Sequence, residues 1–417
     1  MPPGSGGFRP CQAAPPDGFG QHALACRPPS GIDAGGAIGD TGRPRGFGPI
    51  LQGVISSVND ALDTAVYAAR RDRLRERLAA AGHEALLVSH AANRFYLSGF
   101  ELHDPQCNET AGYLCVAANG RDALFTDARY RDAALRLWPA RDLCIYGAGR
   151  FASIADFLKD RGIARLGFEP AAISFDTHAK LAEHIDLFPV PQAVEPLRLI
   201  KDADEIARMR RSAAVNHAVM ARLPEVLVPG RTEAQAAWGI EKLFRELGAS
   251  ELAFSSIVGV DANAALPHAI PGETVIRDEC LVLVDVGGRR DDYCSDQTRT
   301  VWVGKNPPER FVTLLDRVKR AQTAVLDRLR PGLSFREAYG LAREVFVREG
   351  VAERFTHSLG HGIGLETHEG PSLNPTSEGF LEPGMVVTVE PGLYYPEWGG
   401  ARWEHMALVT ADGCETL

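Results

Sequence analysis

Four carboxylates and one histidine, spread over 120 residues, carry the most specific chemistry in this chain: Asp285, Asp296, His361, Glu390 and Glu404. Asp285 closes the apolar run CLVLVDVGG and Glu390 closes MVVTVEPGLY, each followed two residues later by a glycine, Gly287 and Gly392. Asp296 and Glu404 lie in the segments that come next, DYCSDQTRTVWVG and ARWEHMALVT. Taken singly, Asp285 or Glu404 reads as an ordinary ion-pair or turn residue. The spacing changes that reading, because the turn RRDDY reverses the chain and brings Asp296 beside Asp285, facing the same way. An acid at the end of a buried apolar strand is costly to desolvate without a cation. Four such acids converging repel one another, and a pair of divalent metals is their natural partner. One bridging carboxylate from each half is what two metals ~3.5–4 Å apart require. An oxygen-rich set with a single imidazole suits Mn(II), the first choice, or Co(II), Fe(II) or Zn(II).

A second cluster, HSLGHGIGLETHE, places His357, His361 and His368 at spacings of four and seven. A helix would stack the three on one face, but Gly360, Gly362 and Gly364 favour a close-packed strand or loop. Three histidines in thirteen residues, in a chain that holds 12, read as site residues rather than packing. His268, in ALPHAIPG just ahead of the Asp285 strand, is balanced between the two readings.

These residues must be positioned by two kinds of architecture. The pattern VYAARRDRLRERLAAAG predicts an amphipathic helix from Val66 to Gly82. Strand-like runs follow: EALLVSH, RFYLSGF, GYLCVAA, DALFTDARY, LCIYGA and RLGFEP. Helical stretches at Asp127 to Trp138, Phe151 to Arg161 and Asp176 to Ile185 alternate with the later ones, which predicts an α/β domain over 65–195. A proline-bearing connector, FPVPQAVEPLRLIK, leads into 196–417. There Asp202 with Glu205 predicts a capping box for a helix that runs to about Leu223.

The chain then repeats itself. LPEVLVPGRTEAQAAWGIEKLFRELG and AVLDRLRPGLSFREAYGLAREVFVREG share a Pro-Gly turn and a capping box, Thr232 with Gln235 and Ser334 with Glu337. Phe244 and Phe346, and Gly248 and Gly350, keep the same offset of 102 residues. Any two helical hairpins look somewhat alike, but Asp285 and Glu390 recur at nearly that offset. Two similar halves would place the paired acids around a pseudo-dyad, within an α+β domain.

Composition sets the bounds. The 417 residues, 45% hydrophobic and 24% charged, suffice for two domains. The net charge of -9 offers no basic surface for nucleic acid. No apolar stretch reaches the ~18 residues of a membrane span. Eight cysteines without CxxC spacing fit reduced thiols in the cytoplasm better than a disulfide framework. Residues 1–64 begin with a Gly- and Pro-dense stretch and read as a disordered tail, or as the product of a start codon placed too far upstream.

SIVGVDANAALPH, LVLVDVGG, CSDQTRT, HSLGHGIGLETHE, VEPGLYYP and ARWE together resemble the successive signatures of the pita-bread metallopeptidases. With the upstream creatinase-like α/β domain, the chain from Val66 to Leu417 is similar to aminopeptidase P and prolidase, which cut Xaa-Pro bonds. The resemblance implies metal ligation by Asp285, Asp296, His361, Glu390 and Glu404, with two divalent ions per subunit. It implies that His268, His357 and His368 bind substrate, stabilise the tetrahedral intermediate and move protons. Arg402 and Tyr394 match groups that hold the first-strand aspartate. The mechanism implied is hydrolysis by a metal-bridging hydroxide, with Glu390 passing a proton to the departing proline nitrogen. The substrates implied are peptides with proline at the second position, and a homodimer is implied as well.

Three positions depart from the family pattern. His405 stands where an aspartate often follows the ligand glutamate, and should alter the hydrogen bonding behind the site. Asp292 replaces a glycine before the tyrosine of RRDDY, a change the surface should tolerate. Ser372, in HEGPSL, stands where many strict dipeptidases carry an arginine that clamps the substrate carboxylate. Its presence tilts the expectation to an Xaa-Pro aminopeptidase over a strict dipeptidase, a related C–N hydrolase or a non-enzymatic binding module. The polar loop ELHDPQCNETAG reads as solvated, with a second reading as a substrate gate.

Overall fold

Six short strands make the first sheet: β1 (Ala85–Val88), β2 (Gly112–Ala117), β3 (Ala123–Asp127), β4 (Leu143–Tyr146), β5 (Arg165–Phe168) and β6 (Asp186–Pro189). Their order is β4-β3-β2-β1-β5-β6. β1–β2 and β2–β3 pair antiparallel, whereas β3–β4, β1–β5 and β5–β6 pair parallel. β1 and β2 are buried at every position, as a sheet covered by helices on both faces requires. The computed structural model describes residues 56–106 and 108–417, with side chains from residue 65. These described residues fall within one compact unit.

Two expectations need correction here. The run RFYLSGF is not a strand: Ala91–Ser98 is a helix, ended by Gly99 in the left-handed region at φ 71°. Glu169 caps its start, accepting from Ser89 N at 2.7 Å and His90 N at 2.8 Å. A short apolar run has no period that separates helix from strand, and the partner that decides it lies far away in sequence. The first helix spans Ser56–Ala80, so residues 56–64 are helical rather than part of a disordered tail. The apolar pattern that marks the helix from Val66 is preceded by residues that continue it without a breaker. The tail reading for residues 1–55 lies outside the described residues.

The second part of the chain opens with the helix Ala203–Ala221, whose capping box joins Asp202 and Glu205. The repeat predicted from the sequence is present in the fold. Helices Glu233–Glu246 and Phe335–Arg348 both begin with complete capping boxes, and isolated bridges tie Thr232 to Val275 and Ser334 to Phe380. In the first half β7 (Glu251–Leu252), β8 (Ile257–Val260), β9 (Cys280–Val286), β10 (Gly288–Arg290), β11 (Tyr293–Cys294) and β12 (Gln297–Val303) form two three-stranded sheets, β12-β9-β8 and β11-β10-β7. The second half holds β13 (Gly360–Gly362), β14 (Glu369–Leu373), β15 (Val386–Val389), β16 (Gly392–Tyr395), β17 (Gly399–Arg402), β18 (His405–Val409) and β19 (Cys414–Thr416). Its five-stranded sheet runs β14-β13-β15-β18-β19, beside the pair β16-β17.

The turn before Tyr293 explains one departure. Asp292 holds φ 72° and Asp291 φ 51°, the region where glycine costs nothing and aspartate is among the better-tolerated alternatives. The polar loop after Phe100 is tied down: Asp104 accepts from Arg94 and from Ala111 N, and His103 meets Glu251 at 2.7 Å. Among the described residues no helix is long and apolar enough to cross a membrane.

Candidate metal centre and active site

Strand register sets the acids. Thr298 of β12 pairs with Asp285 of β9, so Asp296, two residues before Thr298, shares a face with Asp285. In the other half Val389 pairs with His405, where β15 and β18 part. Glu390 leaves that pair and Glu404 enters it, so the two glutamates oppose each other at the fork. The histidine comes from β13, where His361 pairs with Ser372. A β-carbon on Gly360 would overlap Thr388 O and one on Gly362 would overlap Gly370 O. That close approach is why the histidine cluster is a glycine-rich strand and not a helix.

All five predicted residues come together. His361 Nε2 lies 3.4 Å from Glu390 Oε1 and 3.7 Å from Asp296 Oδ2. Ligating atoms of Asp296, His361 and Glu404 lie within 4.8 Å of one another. His361 Nδ1 faces Gly362 O at 3.0 Å, and a carbonyl only accepts. The Nδ1 atom therefore carries the proton, and the bare Nε2 lone pair points at carboxylates.

The electrostatics ask for cations. Burial, then Glu404, Asp285 and Glu390, hold the Asp296 carboxyl well above the usual carboxylate range. Burial, then Glu390 and Asp285, do the same to Glu404. Burial pushes Glu390 up to about 7 against the pull of Arg402. Asp285 Oδ1, Asp296 Oδ1 and Glu404 Oε1 are buried with no hydrogen-bond partner among the described residues. Orphaned carboxylate oxygens around a neutral imidazole fit divalent cations, because each unpaired buried acceptor is otherwise a desolvation cost.

The supporting groups divide the remaining oxygens. Arg402 Nη2 donates to Asp285 Oδ2, Nη1 to Tyr394 OH at 2.8 Å and Nε to Thr298 Oγ1 at 3.0 Å. Thr298 Oγ1 donates to Glu404 Oε2 at 2.7 Å and Thr388 Oγ1 to Glu390 Oε1 at 3.1 Å. The two threonines were not singled out in the sequence; their place two residues from a ligand, on the same strand face, was the available signal. Tyr394 reaches Asp285 only through Arg402.

The predicted histidines line one cavity of about 500 Å³, which also meets Asp285, Asp296 and Glu390. His268 stands exposed on its rim. His368 packs edge-on against His361, with ring centroids 4.3 Å apart. His357 is more committed: Nδ1 faces Ser358 O at 2.7 Å and Nε2 faces Tyr394 OH at 2.9 Å. It is therefore a neutral ring that accepts from Tyr394, and burial lowers its pKa to about 4. Ser372 sits opposite His361 on β14 and accepts from Asn374 Nδ2 at 2.9 Å.

Known proteins resemble this chain over most of its length. Residues 207–411 match the family described as metallopeptidase family M24, and residues 70–200 match the creatinase/prolidase N-terminal domain. The chain is 34% identical over 349 residues to an uncharacterized peptidase, YqhT, of Bacillus subtilis (strain 168), covering 83% of this chain and 96% of that protein. It is 31% identical over 338 residues to a protein of Pyrococcus horikoshii named Xaa-Pro dipeptidase, covering 80% and 92%. A solved structure titled Xaa-Pro dipeptidase from Bacillus anthracis superimposes with a TM-score of 0.79 at 34% identity, covering 84% of this chain and 97% of that one.

Proposed function

The chain belongs to metallopeptidase family M24, in its aminopeptidase P and prolidase branch, and on that premise we propose that it hydrolyses Xaa-Pro dipeptides. The observation that carries this reading is the convergence of unpartnered Asp285 and Asp296 oxygens and the bare His361 Nε2 on one cavity, with a ligating oxygen of the buried Glu404 within 4.8 Å of those of Asp296 and His361. Asp285, Asp296, His361, Glu390 and Glu404 would hold two divalent ions. Bound there, such ions lower the pKa of water and polarise a scissile carbonyl.

The chain's own residues supply the rest. Arg402 holds Asp285 Oδ2 and leaves Oδ1 turned to the centre. Thr388 engages Glu390 Oε1, and Oε2, whose nearest cation is Arg402 Nε at 3.8 Å, takes up the proton of the attacking water and returns it to the leaving nitrogen. A tertiary Xaa-Pro amide has no N–H, so its nitrogen must be protonated as it departs. His268 and His368, on the cavity wall, bind the substrate and move protons. His357 acts through Tyr394, whose hydroxyl it orients.

The substrate assignment shifts from the aminopeptidase expected from Ser372 to a dipeptidase, because the Pyrococcus horikoshii relative and the Bacillus anthracis structure, each similar over more than nine-tenths of its length, are both named Xaa-Pro dipeptidase. The domain division at 195/196 belongs to the same reading, and the family matches over 70–200 and 207–411 support it. The test is direct. Protein loaded with Mn(II) is given an Xaa-Pro dipeptide and an Xaa-Pro-Xaa tripeptide, with and without chelator. Release of proline from the dipeptide alone, abolished by chelator, is the expected result. Cleavage of the tripeptide alone would restore the aminopeptidase, and cleavage of neither would sink the peptidase reading.

A further inference from the structure

The fork between β15 and β18 leaves two carbonyls, Val389 O and Trp403 O, immediately ahead of Glu390 and Glu404. Gln322, buried on the helix Glu309–Leu326, donates from Nε2 to both, at 2.8 and 3.0 Å. One side-chain amide thus holds the two backbone segments that present the opposed glutamates. An amide can flip, and the flipped form would turn Oε1 onto both carbonyls, acceptor against acceptor. His405 opposes the flip: its Nδ1 lies 3.1 Å from Gln322 Oε1. Arg299 Nη2, which can only donate, lies 2.9 Å from His405 Nε2. The Nε2 atom must therefore accept, which places the ring proton on Nδ1, aimed at Gln322. Arg299 closes the network by donating from Nη1 to Glu404 O.

Every donor and acceptor in this relay has one compatible role, and none of its side chains lines the cavity. We propose that Gln322 is a positioning residue for Glu390 and Glu404, and that His405, held in one tautomer by Arg299, sets the orientation of its amide. The proposal rests on the assignment of those two glutamates as metal ligands. The histidine at position 405 must then donate on one side and accept on the other. An aspartate there, which only accepts, could not keep the amide in this orientation.

The experiment measures Co(II) binding to metal-free protein by calorimetry and by the visible spectrum of the bound ion, with no substrate present. Gln322→Leu and His405→Leu are expected to weaken Co(II) affinity about 10–100-fold, as loss of a group behind a metal ligand does. His405→Gln, which can accept from Arg299 and donate to Gln322, should stay within about threefold of the native affinity. Val318→Ala, a cavity in the core of the same helix, is expected to lower Tm and leave Co(II) affinity and spectrum unchanged. Native affinity and spectrum in folded Gln322→Leu, or an equal loss in Val318→Ala, would overturn the positioning role. Should Gln322→Leu not fold, an equal loss in His405→Gln and His405→Leu would overturn it. Native protein that binds no Co(II) would instead overturn the ligand assignment, and the positioning role with it.

Discussion

Arg402 Nη2 meets Asp285 Oδ2 at 2.5 Å, across 117 residues of sequence and between the two repeat halves. The Arg402 side chain is 3% exposed and stands in a cluster where acids outnumber cations. Removing one member of such a buried pair typically costs roughly 3–5 kcal/mol. Arg402→Met is expected to show a loss of that size in urea unfolding of the metal-free protein. Saturating Mn(II) should reduce the loss, because metal ions take over the compensation. Equal losses with and without metal would contradict this account.

Glu404 contributes repulsion when no cation is near, since burial and its acidic neighbours raise its pKa well above the usual range. Glu404→Gln is therefore expected to leave the Tm of metal-free protein unchanged or raised. Native protein should be stabilised on adding Mn(II), by about 2.7 kcal/mol at a hundred times the dissociation constant and with a corresponding rise in Tm, and Glu404→Gln should gain much less. A variant stabilised by Mn(II) as strongly as the native chain would remove Glu404 from the ligand set.

His90 Nε2 and Glu366 form an ion pair at 3.2 Å between the first domain and the loop that carries His368. The hydrogen bond to Glu366 raises the His90 pKa above 6.5. Although burial opposes it, His90 and Arg198 lower Glu366 to about 2. Because the His90 value is raised in the fold, its contribution is complete below pH 6.5 and fades as pH climbs through the folded value. The depressed Glu366 contributes fully above its unfolded value of about 4.5 and fades as pH falls towards 2. The stability difference between native protein and Glu366→Gln should therefore be greatest from about pH 4.5 to 6.5. A difference independent of pH on either side of that range would show that the pair is not ionised.

The paired capping boxes allow a test of the repeat. Thr232→Ala and Ser334→Ala each remove a side chain that accepts from the third backbone N–H of its helix. Each should cost about 1 kcal/mol, and the double variant should cost the sum, as expected of distant sites. Strong non-additivity in urea unfolding would mean that the halves do not carry their caps independently.

Much of the site was legible along the chain because its chemistry follows local patterns. The five candidate ligands stand beside apolar strands and glycines, and the repeat offset pairs the acids. Capping boxes mark helix starts from residues three apart. Where local pattern was ambiguous, as in the run RFYLSGF, the strand expectation failed because Glu169, far along the chain, caps a helix there. The functions of the histidines were legible only as a group: spacing could not distinguish His357, bound at both nitrogens, from His368 on the open wall.

By itself, then, the sequence determined which side chains could bind metal, their order along two similar halves, and the elements that bear them, since strand alternation and helix capping act over a few residues. The tertiary structure alone decided which carboxylate oxygens face the centre, that Arg402 claims only one oxygen of Asp285, and that Gln322, His405 and Arg299 stand behind the glutamates. Those choices depend on hydrogen-bond directions between groups about 67 to 117 residues apart, and such distances close only when the chain has folded.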